Sequence, residues 1–169
     1  MVGDITPSFH GDSVYGVWIG IVINRRVARL QENGKMVLLT DQIKERTLDL
    51  IAHGRKRILV GRSLWKVDGV VVHVRCVTQR QGNKRFRFNL NKNSLGADYE
   101  LWICGTSGHY LIPKSVIKTM HEHPFAYPDH THQGLTVLQV NLKDHLAMYA
   151  RPGIKQNLQR YFDALLPAN

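Results

Sequence analysis

The chain has 169 residues, 43% hydrophobic and 21% charged, enough for one domain with a core and too apolar for wholesale disorder. Its 23 Lys and Arg against 13 Asp and Glu leave a net charge of +10, and residues 1–90 hold sixteen of the bases and seven of the acids. No apolar run approaches the ~18–20 residues that span a bilayer, and two cysteines, Cys76 and Cys104, are too few for a disulfide scaffold or a four-cysteine zinc site.

In chain order, Asp12 or Ser13 caps a predicted helix from Val14 to before Gly34, with Val14, Val17, Trp18, Ile21, Val22 and Ala28 on one stripe. The β-branched run Val17 to Ile23 leaves a buried strand open as the alternative. Short strands are expected at Lys35–Thr40 and at Leu48–Ala52, and a third at Arg57–Trp65 after the turn His53-Gly54-Arg55-Lys56. Asp68-Gly69 is a hairpin signal ahead of a strand over Val70–Val77. Arg85–Leu90 follows across Gln81-Gly82-Asn83, and Tyr99–Cys104 with His109–Ile112 forms a hairpin about Gly105 to Gly108. Pro113 opens a helix to about Met120. A Pro- and His-rich loop fills 121–134, then a strand at Leu135–Val140 and a closing amphipathic helix at Leu158–Leu166. These elements make one α/β domain with a mixed sheet flanked by helices.

The clustered positive charge is the footprint of a polyanion binder, because neutralised phosphates release counterions. Arg25, Arg26 and Arg29 are candidates on the first helix. Arg55 and Lys56 occupy the turn after Leu48–Ala52. Lys84-Arg85-Phe86-Arg87-Phe88 alternates cations with aromatics, so a strand puts Arg85 and Arg87 on one face and the phenyl rings on the other. His121, His123, His130 and His132 supply four imidazoles, enough for a tetrahedral zinc or copper site, although exposed histidine-rich loops more often bind nothing specific. Asp49 stands between Leu48 and Leu50. In a strand, that carboxylate needs partners; were Gln42 to Leu50 helical, Glu45 and Asp49 would instead share a helix face.

The order of helix, paired strands and hairpin, together with Leu48-Asp49-Leu50-Ile51, Arg57 to Ser63, Phe86 to Leu90, Ala97 to Gly105 and Tyr110-Leu111-Ile112-Pro113, resembles the PD-(D/E)XK nuclease superfamily over about residues 14–120. The resemblance implies a restriction-endonuclease-like core, with 121–169 as a histidine-rich loop and extension. It also implies binding to double-stranded DNA, a homodimer and, in a competent site, Mg²⁺-dependent phosphodiester hydrolysis. Asp49 matches the first strand acid and metal ligand, with Arg62 or Lys66 as the stabilising cation. The second motif, acid or Gln followed by any residue and Lys, meets Leu59, Val60 and Gly61 instead. His73-Val74-Arg75 keeps the acid–x–cation spacing with His for the acid, and neutral imidazole holds Mg²⁺ weakly. Three functions therefore stay open: an endonuclease with an altered site, a catalytically inactive nucleic-acid-binding subunit that positions a partner enzyme, or a basic protein that binds an acidic protein partner. Without a secretory signature at residues 1–11, and with both thiols in apolar strands, a cytoplasmic protein free of membranes is expected.

Overall fold

The computed structural model describes residues 39–78, 85–91, 95–126, 134–149 and 155–168. The expected first helix, with Arg25, Arg26 and Arg29, lies outside them, as do Lys84, His130 and His132. The chain divides into two compact units, Met1–Leu39 and Thr40–Asn169, and the architecture below is that of the second.

Helix α1 occupies residues 39–52, where short strands were expected at its two ends. The physical reason is the spacing of its apolar side chains. Leu48, Ile51 and Ala52 are buried, at i, i+3 and i+4, while Asp49 and Leu50 face solvent. The helix ends at His53 and Gly54, both in the left-handed region with φ of 49° and 80°.

Five strands form the first sheet, in the order β1 (Arg57–Gly61), β2 (Leu64–Val67), β3 (Val70–Val77), β5 (Tyr99–Cys104), β6 (His109–Pro113). The single strand expected from Arg57 to Trp65 is two antiparallel ones, folded back at Arg62-Ser63. Asp68 and Gly69, with φ of 48° and 92°, close the β2–β3 hairpin as expected. β3 pairs in parallel with β5, and the other neighbours are antiparallel, so the sheet is mixed. Between β3 and β5 the chain contributes β4 (Arg85–Asn91) to a second, antiparallel sheet ordered β4, β7 (Leu135–Asn141), β8 (Leu146–Tyr149), β9 (Lys155–Asn157). β3 and β4 therefore belong to different sheets.

Alternation along β5 divides the core. Leu101 and Ile103 pack with Val72, Val74, Leu111 and the buried side chains of α1. Glu100, Trp102 and Cys104 face the other way, where Trp102, Cys104, Tyr110 and Ile112 meet Phe86, Phe88 and Leu138 of the second sheet and Ile117 and Met120 of α2 (Lys114–His121). Phe88 stacks on Trp102 with centroids 4.7 Å apart. The first sheet is thus covered by α1 on one face and by the second sheet and α2 on the other.

The closing helix expected at Leu158–Leu166 is one 3₁₀ turn, Gln159–Tyr161, followed by irregular chain with Asp163 in the left-handed region at φ 48°. Leu158 and Tyr161 belong to the core beneath the second sheet, whereas Leu166 belongs to the core beneath α1. A helix would keep these side chains on one face; breaking it at Asp163 lets the segment serve both cores. No helix among the described residues is long and apolar enough to cross a membrane.

Candidate functional site

An open cleft of about 370 Å³ lies where the β1–β2 turn, β3 and the C-terminal half of β4 converge. Arg62, Ser63 and Leu64 come from the turn, His73 and Arg75 from β3, Asn89 and Asn91 from β4, and Leu135 from β7. Pairing puts them there. Leu64 is the cross-strand partner of His73, and Val74 donates its backbone N–H to the Ser63 carbonyl at 2.8 Å, prolonging the ladder into the turn. Arg62 is exposed at the tip and also borders a smaller hollow of about 160 Å³ between α1 and the β1–β2 hairpin.

Beneath the cleft lies a carboxylate. Glu100 sits opposite His73 in the parallel β3–β5 ladder and is only 2% exposed. Its Oε1 lies 2.9 Å from His73 Nδ1. Its Oε2 accepts from Arg75 Nε at 2.9 Å and from Trp102 Nε1 at 3.2 Å. A buried carboxylate is tolerated only when paired and hydrogen-bonded, and three donors meet that condition. With the carboxylate ionised, Nδ1 of His73 carries the hydrogen, which leaves Nε2 as the ring's acceptor when neutral. Asn89 adds an acceptor, since its Oδ1 is buried without a hydrogen-bond partner.

The residues expected to act are not all here. Asp49 is on α1 rather than on a strand, so the matching of it to a strand acid does not hold geometrically. It is largely exposed and accepts from Arg57 Nε at 2.9 Å, while Arg57 Nη1 reaches Glu45 Oε2 at 2.6 Å. Partial burial pulls the Arg57 guanidinium down, but Glu45 and Asp49 outweigh it and hold the group above its ordinary value; it also lies 5.0 Å over the Trp65 ring. Lys66 is exposed on β2, two residues past Leu64 and toward the far turn, and does not line the cleft. Arg55, expected on a phosphate, instead donates to the carbonyls of Ala52, Leu166 and Pro167 and ties the C-terminal segment to the end of α1. Lys56 is exposed beside it. Arg85 and Arg87 are exposed on one face of β4 with Phe86 and Phe88 buried on the other, the alternation expected of that strand.

The Mg²⁺ implied by the resemblance needs carboxylate oxygens with lone pairs to spare, projecting together from adjacent elements. These residues do not fit it. Both oxygens of Glu100 are engaged, Asp49 and Glu45 are drawn to one guanidinium on a helix, and no carboxylate lines the cleft. Among the described residues no three His, Cys, Asp or Glu gather as a metal cluster; His121 bonds Thr136 and His123 accepts from Phe125 N–H. Glu100 is not among the residues the sequence singles out. The signal was a lone acid inside the apolar run Tyr99-Glu100-Leu101-Trp102-Ile103-Cys104, paired by strand order with His73 and Arg75.

No protein-family profile matches the chain, and no curated protein matches its sequence. Among solved structures, the bacterial homing endonuclease I-Ssp6803I is similar with a TM-score of 0.41 and 10% identity, over 73% of this chain and 84% of that one. A likeness that slight fixes neither superfamily nor activity, and the chain's own residues must carry both.

Proposed function

We propose that the chain is a DNA-binding protein on a nuclease-like α/β framework, and that its cleft holds a phosphate of duplex DNA without hydrolysing it. Arg62 meets the phosphate from the turn, and Arg75 and His73, held by Glu100, present fixed polarity behind it. The observation that carries this reading is the state of Glu100: His73, Arg75 and Trp102 occupy both oxygens of the carboxylate beneath the cleft. A cation-lined cleft with its acid neutralised internally attracts a phosphate but offers a hydrated metal no ligand. The net charge of +10 supplies the long-range attraction.

Titrating a labelled 30-base-pair duplex by anisotropy at increasing salt, with Mg²⁺ or Mn²⁺ present, tests this. The expected result is intact DNA and affinity that falls linearly in log–log form, with the slope reduced by about 1 in Arg62→Ala. Absence of retention at low salt contradicts the proposal. Cleavage that requires the metal and is abolished by Asp49→Ala also contradicts it, in favour of the endonuclease.

A further inference from the structure

The hollow of about 160 Å³ beside the β1–β2 turn has no part in holding the phosphate. It lies on the α1 face of the first sheet. Leu59 stands opposite Trp65 and Trp65 opposite Val72, so these side chains share the face on which Val72 and Val74 pack against α1. Leu48, Leu59, Trp65 and Val74 make its walls apolar. Asp41 and Glu45, four residues apart and so on one face of α1, form the rim together with Lys44 and Arg62. Each acid has one oxygen outside its ion pair: Asp41 meets Lys44 Nζ through Oδ1 at 3.2 Å, and Glu45 meets Arg57 Nη1 through Oε2 at 2.6 Å. The cleft is on the opposite face, where Leu64 stands against His73. Arg62 and Ser63, at the turn between the two faces, line both recesses.

We infer that this hollow takes one cytosine turned out of the DNA stack, while Arg62 holds the phosphate of the same nucleotide at the cleft. This rests on the DNA-binding reading above and adds a base site to the phosphate site. The lining charges cancel, Asp41 and Glu45 against Lys44 and Arg62, so the hollow selects neither a free anion nor a free cation. A neutral ring with a polar edge suits apolar walls under a rim of donors and acceptors. Size narrows the choice: an apolar cavity of about 150 Å³ holds one benzene, so the hollow matches a single six-membered ring and leaves the second ring of a purine outside. The rim decides between the pyrimidines. Carboxylates accept from the N4 amine of cytosine, whereas thymine presents the O4 acceptor there and meets the acids unfavourably. Lys44 and Ser63 supply donors for the ring acceptors of cytosine. Because Arg62 and Ser63 separate the two recesses, phosphate and base of one nucleotide can straddle the turn. Turning a base out costs unpairing and unstacking, least where the base has no partner. The signature of the site is therefore a preference for duplex that carries an unpaired cytosine.

The experiment compares three labelled duplexes by anisotropy: fully paired, with one extrahelical cytosine, and with one extrahelical thymine. Each is titrated with wild type, the double variant Asp41→Ala/Glu45→Ala, and Arg62→Ala. Wild type is expected to bind the cytosine bulge roughly ten- to hundredfold more tightly than paired duplex, since the cost of unpairing is spared, and more tightly than the thymine bulge. The double variant loses two exposed acids whose ion pairs contribute little to stability, so its melting temperature stays close to that of wild type. Removing negative charge strengthens its binding to every duplex alike, but its preference for cytosine over thymine disappears. Arg62→Ala weakens all three duplexes and keeps their order. The inference is overturned if the cytosine bulge binds no more tightly than paired duplex, if the thymine bulge binds as well, or if the double variant retains the wild-type preference. Equal binding of the three duplexes together with a weakened Arg62→Ala leaves the cleft reading standing; no retention of any duplex removes both.

Discussion

Glu100 is a carboxylate only 2% exposed, and its charge must be compensated where it stands. Glu100→Ala strands Arg75 and His73 around a vacated pocket, and breaking a buried pair of this kind costs about 3–5 kcal/mol. Chemical denaturation should register that loss. A change below about 1 kcal/mol would show that the network is dispensable. Asp49→Ala is the counterpart: it removes an exposed carboxylate from Arg57 and is expected to cost at most about 1 kcal/mol, with DNA binding unchanged.

Alkaline pH tests the buried acids with ordinary neutral forms. Burial pushes the Cys104 thiol and the Tyr149 hydroxyl up to about 12, and raises Tyr110 as well. Tyr149 also donates to the Met120 carbonyl and Tyr110 lies 2.9 Å from His145 Nδ1. Each group holds its proton more tightly when folded, so the stability it contributes is complete below the unfolded values near 9 for the thiol and 10 for the phenols. It is lost as pH climbs toward about 12. Denaturation midpoints should stay level up to about pH 9 and then fall, less steeply in Cys104→Ala. A midpoint that rises above pH 9 would contradict the burial of these groups.

At the scale of elements, the β5–β6 turn depends on Gly108. Its φ is +128°, and a Cβ there would lie 2.6 Å from the Phe162 ring, which packs against Tyr110 and His145. Gly108→Ala is expected to destabilise by about 1–3 kcal/mol, visible as a lower melting temperature; an unchanged value would mean that the C-terminal segment does not seat on this turn. β1 is an edge strand with Ile58, Leu59 and Val60 half exposed. If the homodimer implied by the resemblance forms, this is the described surface with the composition an interface core requires. Leu59→Lys should then shift light scattering from dimer to monomer with the melting temperature retained, and a dimer that persists would place the interface elsewhere.

Legibility varied with how local each element's determinants are. β3, the β5–β6 hairpin, α2 and β7 lie where the sequence placed them, since Asp68-Gly69, the glycines at 105 and 108, and Pro113 act within a few residues. α1 is ambiguous in sequence because Leu48, Leu50, Ile51 and Ala52 read as a short apolar run, while the burial of Leu48, Ile51 and Ala52 at a spacing of three and four selects the helix. The terminal segment is deceptive for the opposite reason: Leu158, Tyr161 and Leu166 approximate a helical period, but they report two separate cores. β8 and β9 carry too few residues to register alone. The cleft was half visible. His73-Val74-Arg75 was noticed for its spacing, but its meaning depended on a parallel pairing with Glu100 twenty-seven and twenty-five residues away, which no local pattern encodes.

For the whole molecule, the mixed sheet brings together what lies apart in sequence: a turn arginine, a β3 histidine and arginine, and β4 amides around one cleft. The second sheet, packed on the far side of Trp102, presents Arg85, Arg87, Gln139 and Lys155 outward. In the reading proposed above, the cleft contacts a backbone phosphate, which positions DNA without selecting its sequence. Incubating the purified protein with a supercoiled plasmid and Mn²⁺, and reading retardation and strand breaks in the same gel, bears on this most directly. Retarded plasmid that stays supercoiled after the protein is stripped away is the predicted result; nicked or linear product that Asp49→Ala prevents would contradict it.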